Sequence, residues 1–219
     1  MNKLRLDLDL TLYIHSGVCF PSLKTLVLSE VAFVNEQSVE RLFSGCPVLQ
    51  ELSLLDCYWE NIKQINVAIS TLTTLTIYLG PDRQDSEENF IVIIDAVNLL
   101  SLSCLSNPNV KFIIVNPIFI VDAHVDHYVY NDDPEDGLDC AHSAIGLLSV
   151  LSSVKSLNLT SDTLKVCLPI TCILYSLHTL SLSLSLSLSI TIVNLFLFPF
   201  ASAFPMQKIL SISFLHSTI

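Results

Sequence analysis

The sequence predicts a short, irregular α/β horseshoe of leucine-rich repeats followed by an apolar tail, and three observations predict it. The first is a frame, apolar-x-x-apolar-x-apolar, that occurs five times: Leu23-x-x-Leu26-x-Leu28, Leu49-x-x-Leu52-x-Leu54, Leu72-x-x-Leu75-x-Ile77, Leu99-x-x-Leu102-x-Cys104 and Val154-x-x-Leu157-x-Leu159. The second is spacing. The copies start 26, 23, 27 and 55 residues apart, and a period in the twenties carrying this frame marks leucine-rich repeats. The last gap is about two periods, so one copy inside it is degenerate or replaced. The third is the segment between the first two frames, which reads as strand, loop, helix, turn, strand. One such unit cannot bury its own apolar face, so stacked neighbours supply the core.

The elements follow in order. Leu4, Leu6, Leu8, Leu10 and Leu12 alternate with polar residues, a period of two that predicts a strand with one buried face. A solenoid normally shields its end with an atypical repeat, so a chain opening inside a strand is expected to be part of something longer. Asn35 is placed to cap a helix over 36–43 whose Val39, Leu42 and Phe43 share a face, and Gly45 is expected to stop it. Cys57, three residues after Leu54, completes the Cys-type variant of the frame. Gly80-Pro81 and the polar run 82–89 predict a turn and exposed loop. Strands are predicted over 91–94, 110–115 and 118–121, the last two split by Asn116-Pro117. Residues 131–137 predict a solvated acidic loop. A helix over 141–151, with Ala144, Ile145, Leu148 and Leu151 on one face, leads into the last frame.

The net charge of -11 disfavours a nucleic-acid backbone as partner. The charge is unevenly placed: up to Lys165 the chain holds 9 basic and 21 acidic residues, whereas beyond it Lys208 is the only charged side chain. This break divides the chain into a repeat domain, 1–166, and a Leu/Ser-rich tail, 167–219. Seven cysteines, odd in number and without a C-x-x-C pair, argue for a reducing compartment, the cytoplasm or nucleus. Cys46, Cys57 and Cys104 are expected to be core residues. Asp7 and Asp9 interrupt any signal-peptide core, and the sequon Asn158-Leu159-Thr160 falls in a predicted strand.

The tail contains SLSLSLSLS at 181–189. No folding rule asks for such alternation, whereas a CT dinucleotide repeat translates as Leu-Ser, which favours translated non-coding sequence such as a retained intron. A membrane anchor through 170–206 and an extra edge strand on the solenoid are the alternatives.

Catalytic and cofactor signatures are not found. There is no phosphate-binding glycine loop and no nucleophile elbow, so the sequence predicts neither an enzyme nor a cofactor. Asp122, His124, Asp126, His127, Asp132, Asp133, Glu135, Asp136, Asp139, Cys140 and His142 cluster in sequence. Their best calcium register puts Ser143 where a bidentate Glu is required, and His124 and His127 point to opposite faces of a strand. A hydrated acidic loop, not a metal site, is expected. The candidate binding surface is the outward face of the frames, expected to be concave: Thr25, Val27, Glu51, Ser53, Thr74, Thr76, Tyr78, Ser101, Ser103, Ser156 and Asn158.

Three ordered motifs carry a family resemblance. They are Phe20-Pro-Ser-Leu-Lys-Thr-Leu26, Ser38-Val-Glu-Arg-Leu42, and Ser44-Gly-Cys-Pro-Val-Leu-Gln-Glu-Leu52. They resemble the FPSLKTL, LLSGCP and VLEEL wording of plant F-box proteins with leucine-rich repeats and an FBD domain. Residues 96–102 and 153–159 are similar to later repeats of that family, and the similarity covers roughly residues 1–166. It implies the substrate-recognition region of a cullin-type ubiquitin ligase subunit, binding an unknown protein substrate and contacting the ligase adaptor only through an F-box restored upstream. Neither an F-box nor an FBD segment is found in the sequence, which points to a truncated form. A non-functional truncated product and a tail-anchored membrane protein are the alternatives.

Overall fold

A computed structural model describes residues 2–59, 62–80, 90–106, 110–127, 144, 146–151, 154–160, 163 and 209–213. Its main sheet has eight strands, all parallel: β1 (Lys3–Leu12), β2 (Thr25–Phe33), β3 (Glu51–Leu55), β5 (Thr74–Tyr78), β7 (Ser101–Ser106), β9 (Asp122–His127), β10 (Ser156–Thr160) and β11 (Ile209–Ser213), side by side in that order. A smaller parallel sheet is formed by β4 (Gln64–Val67), β6 (Phe90–Ile94) and β8 (Val110–Ile114). Strands of the two sheets alternate along the chain from β3 to β9, so each turn of the solenoid crosses from one sheet to the other and returns.

The frames stack in register. Leu26, Leu52, Leu75, Leu102, Ala123 and Leu157 form one ladder, and Leu28, Leu54, Ile77, Cys104, Val125 and Leu159 form the next. Neither ladder contains a residue more than 4% exposed, and burying each large aliphatic side chain is worth roughly 1.5–3 kcal/mol. The degenerate copy is now visible as Ile120-x-x-Ala123-x-Val125, on β9 between the fourth and fifth frames.

Backbone hydrogen bonds repeat with the same period. The N–H of Leu23, Leu49, Leu72, Leu99, Ile120 and Val154 each donates to the carbonyl three residues earlier, turning the chain into the strand. The Lys24 carbonyl accepts from Gln50 and Glu51, that of Gln50 from Thr73 and Thr74, and that of Thr73 from Leu100 and Ser101. The Leu100 and Val121 carbonyls continue the series onto β9 and β10. Each repeat therefore supplies acceptors to the amides that open the next strand.

The first helix, α1, runs Glu36–Ser44, with Ser38, Val39, Leu42 and Phe43 buried. The Asn35 carboxamide oxygen accepts from the Ser38 N–H at 2.9 Å and from the Ser38 hydroxyl at 3.0 Å. Because Ser38 is fully buried, losing the Asn35 side chain strands the Ser38 hydroxyl and leaves its N–H only the Asn35 backbone carbonyl at 3.1 Å. Asn35→Ala should cost about 1–2 kcal/mol in urea unfolding, with Asn35→Asp near wild type; equal losses in both variants would show that the cap is not the cause. Gly45 ends the helix as expected, but in a right-handed conformation with φ -71°. Glycine is needed there because a Cβ would sit 2.6 Å from the Val18 carbonyl oxygen.

Three expectations change. The β1 alternation is interrupted by a bulge between Asp7 and Leu10; Leu4 and Leu6 are half-buried, but Leu10 is 42% exposed. The helix-bearing unit of the first repeat is not repeated in the central turns, where β4, β6 and β8 form the second sheet, β6 and β8 at the predicted strands 91–94 and 110–115. Helices are about 10 Å across and strands about 4.8 Å apart, so strands on both sides remove the usual geometric cause of curvature. Residues 117–119 form a 3-10 turn, not a strand, because Pro117 fixes φ and lacks the N–H a ladder needs. In the later helix Leu147 is buried beside Ala144, Leu148 and Leu151; Ile145 lies outside the described residues. So do the loops 82–89 and 131–137 and the run 181–189. Leu210 and Ile212 of β11 stand opposite Leu157 and Leu159.

Candidate protein-interaction face

Because side chains alternate across a strand, burying the two frame ladders turns the intervening residues to the other face of the main sheet. Parallel pairing sets them in rows. Lys3, Thr25, Glu51, Thr74, Ser101, Asp122 and Ser156 form the first row, and Arg5, Val27, Ser53, Thr76, Ser103, His124 and Asn158 the second. Asp7, Ser29, Leu55, Tyr78, Leu105 and Asp126 form the third. At about 4.8 Å between strands, six strands span roughly 24 Å.

All eleven residues expected on this surface lie in these rows; ten are half-buried and Glu51 is exposed. Sequence reasoning missed Asp122, His124 and Asp126, because β9 carries the degenerate frame and these residues run on in sequence into the acidic cluster. It also missed Leu55 and Leu105. Their signal was available: each directly follows the last apolar position of a recognised frame. Among the described residues no group of three or more His, Cys, Asp or Glu is arranged to hold a metal ion. Asp132, Asp133, Glu135, Asp136, Asp139, Cys140 and His142 of that cluster lie outside the described residues.

The face is polarised. On the edge strand, Arg5 Nη2 lies 2.9 Å from Asp7 Oδ2, and its hydrogen bond is the leading reason the Asp7 carboxyl sits below its ordinary range. Both groups are exposed, so the pair contributes little to stability. The Thr25 hydroxyl donates to Glu51 Oε2 at 3.1 Å. At the other end, the Thr160 hydroxyl donates to Asp126 Oδ1 at 2.6 Å, and the Thr163 hydroxyl donates to the Val125 carbonyl at 3.2 Å. In the third row, burial, followed by the charges of Asp56 and Asp126, raises the Tyr78 phenol above its usual range. The Nδ1 of His124 is enclosed without a partner among the described residues.

Cys46, Cys57 and Cys104 are buried. Cys57 takes the position held by Val31 one repeat earlier, its thiol 3.6 Å from the Leu28 carbonyl oxygen. The residues before them, Glu30 and Asp56, have φ of 58° and 50°, and this left-handed step turns the following side chain inward. Burial pushes the Cys104 thiol far above its ordinary range, which makes it a packing group and a poor nucleophile.

The repeat profile described as "FBD-associated F-box protein At5g56370, LRR repeats" matches residues 4–123. The chain belongs to the plant F-box/FBD/LRR-repeat family. A protein of Arabidopsis thaliana named for that family, At1g66290, is 33% identical over 164 residues, covering 72% of this chain and 36% of its own. The Arabidopsis F-box/LRR-repeat protein At3g59210 is 31% identical over 159 residues, covering 68% and 32% respectively. The FBD-associated F-box protein At5g38590, also from Arabidopsis, is 45% identical over 69 residues, 32% of this chain and 17% of its own. The chain thus spans little more than a third of the length of its first-ranked curated relatives. No solved structure matches it. Among the described residues no helix is long and apolar enough to cross a membrane; 170–206 lie outside them. Within the F-box/FBD/LRR-repeat family, this chain is a leucine-rich-repeat protein-interaction module.

Proposed function

We propose that this chain is the substrate-recognition region of an F-box-type subunit of a cullin ubiquitin ligase, holding a protein substrate on the outward face of the main sheet. The observation that carries this reading is the row register. Stacked repeats present small polar side chains in continuous rows around the bulkier Leu55, Tyr78 and Leu105, a surface that admits close approach of another chain. The names of the relatives supply the ligase context. In this reading an F-box segment, which the relatives are named for, contacts the adaptor; the repeat face recruits and does not catalyse. Seven cysteines, odd in number and without a C-x-x-C pair, support a cytoplasmic or nuclear site of action.

The test is proximity labelling in plant cells with the full chain fused behind an F-box. Ser53→Arg and Thr76→Arg place bulky charges at the centre of the second row; Asn66→Arg places one on the outer face of the smaller sheet. A set of proteins labelled and ubiquitinated with wild type and Asn66→Arg, but lost with both row variants, supports the proposal. An identical set for all four chains overturns it.

A further inference from the structure

The third row holds the largest side chain of the face, and its surroundings are specific. Tyr78 stands on β5 between Leu55 of β3 and Leu105 of β7, all three half-buried. Asp126 of β9 follows Leu105 in the same row, and the Asp56 carboxylate and the Tyr78 ring both border Gly80, where a Cβ would lie 3.8 Å from the ring. Each carboxylate is positioned by its own device. The Asp56 N–H donates to the Tyr78 carbonyl at 2.9 Å, and its carboxylate lies over Gly80, where a Cβ would meet Oδ1 and come within 3.2 Å of Cγ. Asp126 is held by the Thr160 hydroxyl. The described cations in the rows, Lys3 and Arg5, are on the edge strand, three strands away from Tyr78 in the sheet.

We propose that Tyr78, Asp56 and Asp126 form a recognition site for an arginine side chain of the bound protein segment, a step that rests on the sheet face being the docking surface. An aromatic face attracts a cation through its quadrupole, and flanking carboxylates add charge-assisted hydrogen bonds. Leu55 and Leu105 supply apolar walls for the methylene stem. The planar guanidinium both stacks on a ring and forks to a carboxylate, which favours arginine over lysine. The small Ser and Thr residues of the second row leave room for the backbone that carries it.

The experiment pans a phage-displayed library of random short peptides on the full chain, then measures the selected peptides by fluorescence anisotropy. The expected consensus contains an arginine. Replacing it with neutral citrulline should weaken binding about tenfold, and Asp126→Asn in the protein about fivefold. Gly80→Ala should weaken binding too, because the new methyl displaces the Asp56 carboxylate. Selected peptides without a basic residue that still lose binding to Ser53→Arg would overturn the arginine site and leave the docking face standing. Peptides indifferent to Ser53→Arg, or no enrichment at all, would overturn both.

Discussion

Leu75→Ala should destabilise the protein by about 3 kcal/mol, within the roughly 2–5 kcal/mol range for such truncations in a closed core. Leu75 is fully buried and paired with Leu52 on one side and Leu102 on the other. In a solenoid, stability is approximately a sum of repeat and nearest-neighbour interface contributions, so a truncation here weakens two interfaces together. Strands on both sheets clamp the cavity, which limits how far the site can collapse. The contrast is Leu4→Ala on the edge strand, where the side chain is half-buried and meets a neighbour on one side only; that change should cost about 1 kcal/mol or less. Urea unfolding followed by circular dichroism reads both. Equal losses would mean that the central repeats do not act as the anchor of the ladder.

How much of this was legible in the sequence depended on one residue type per position. The frames at Leu23, Leu49, Leu72 and Leu99 were readable because leucine occupies most of their inward positions. The copy on β9 was hidden because Ala123 fills the middle position and Ile120 the first, so neither breaks the background of apolar residues. The mistake propagated to the site: without β9, Asp122, His124 and Asp126 looked like a local cluster instead of the continuation of three rows. The bulge in β1 was unreadable because leucine alternates straight through it, and only the pairing with β2 shows the slip. The strand Gln64–Val67 was missed because four residues give too short a period to separate strand from loop. The face residues themselves were legible, since a period of two fixes which side chains oppose a buried ladder. What the rows recognise was not legible, because Tyr78, Asp56 and Asp126 come together only through stacking.

Trp59 provides the second large effect, and its size depends on the replacement. The ring stacks on Phe33 at 5.0 Å between centroids with planes 10° apart, and meets Phe90 at 5.6 Å and 31°. It thereby joins β2, the loop after β3 and β6. Trp59→Ala removes this bridge and should cost about 3–5 kcal/mol. Trp59→Phe keeps a ring in the stack, and it also removes Nε1, a buried donor without a partner among the described residues. An unmet buried donor costs roughly 1–3 kcal/mol, which offsets the smaller ring's lost contact area, so Trp59→Phe should fall within about 1 kcal/mol of wild type. As this is the single tryptophan, circular dichroism, not fluorescence, must follow the unfolding. If Trp59→Phe instead loses as much as Trp59→Ala, the indole N–H has a partner that holds the repeat, and the stack is the lesser part of the interaction.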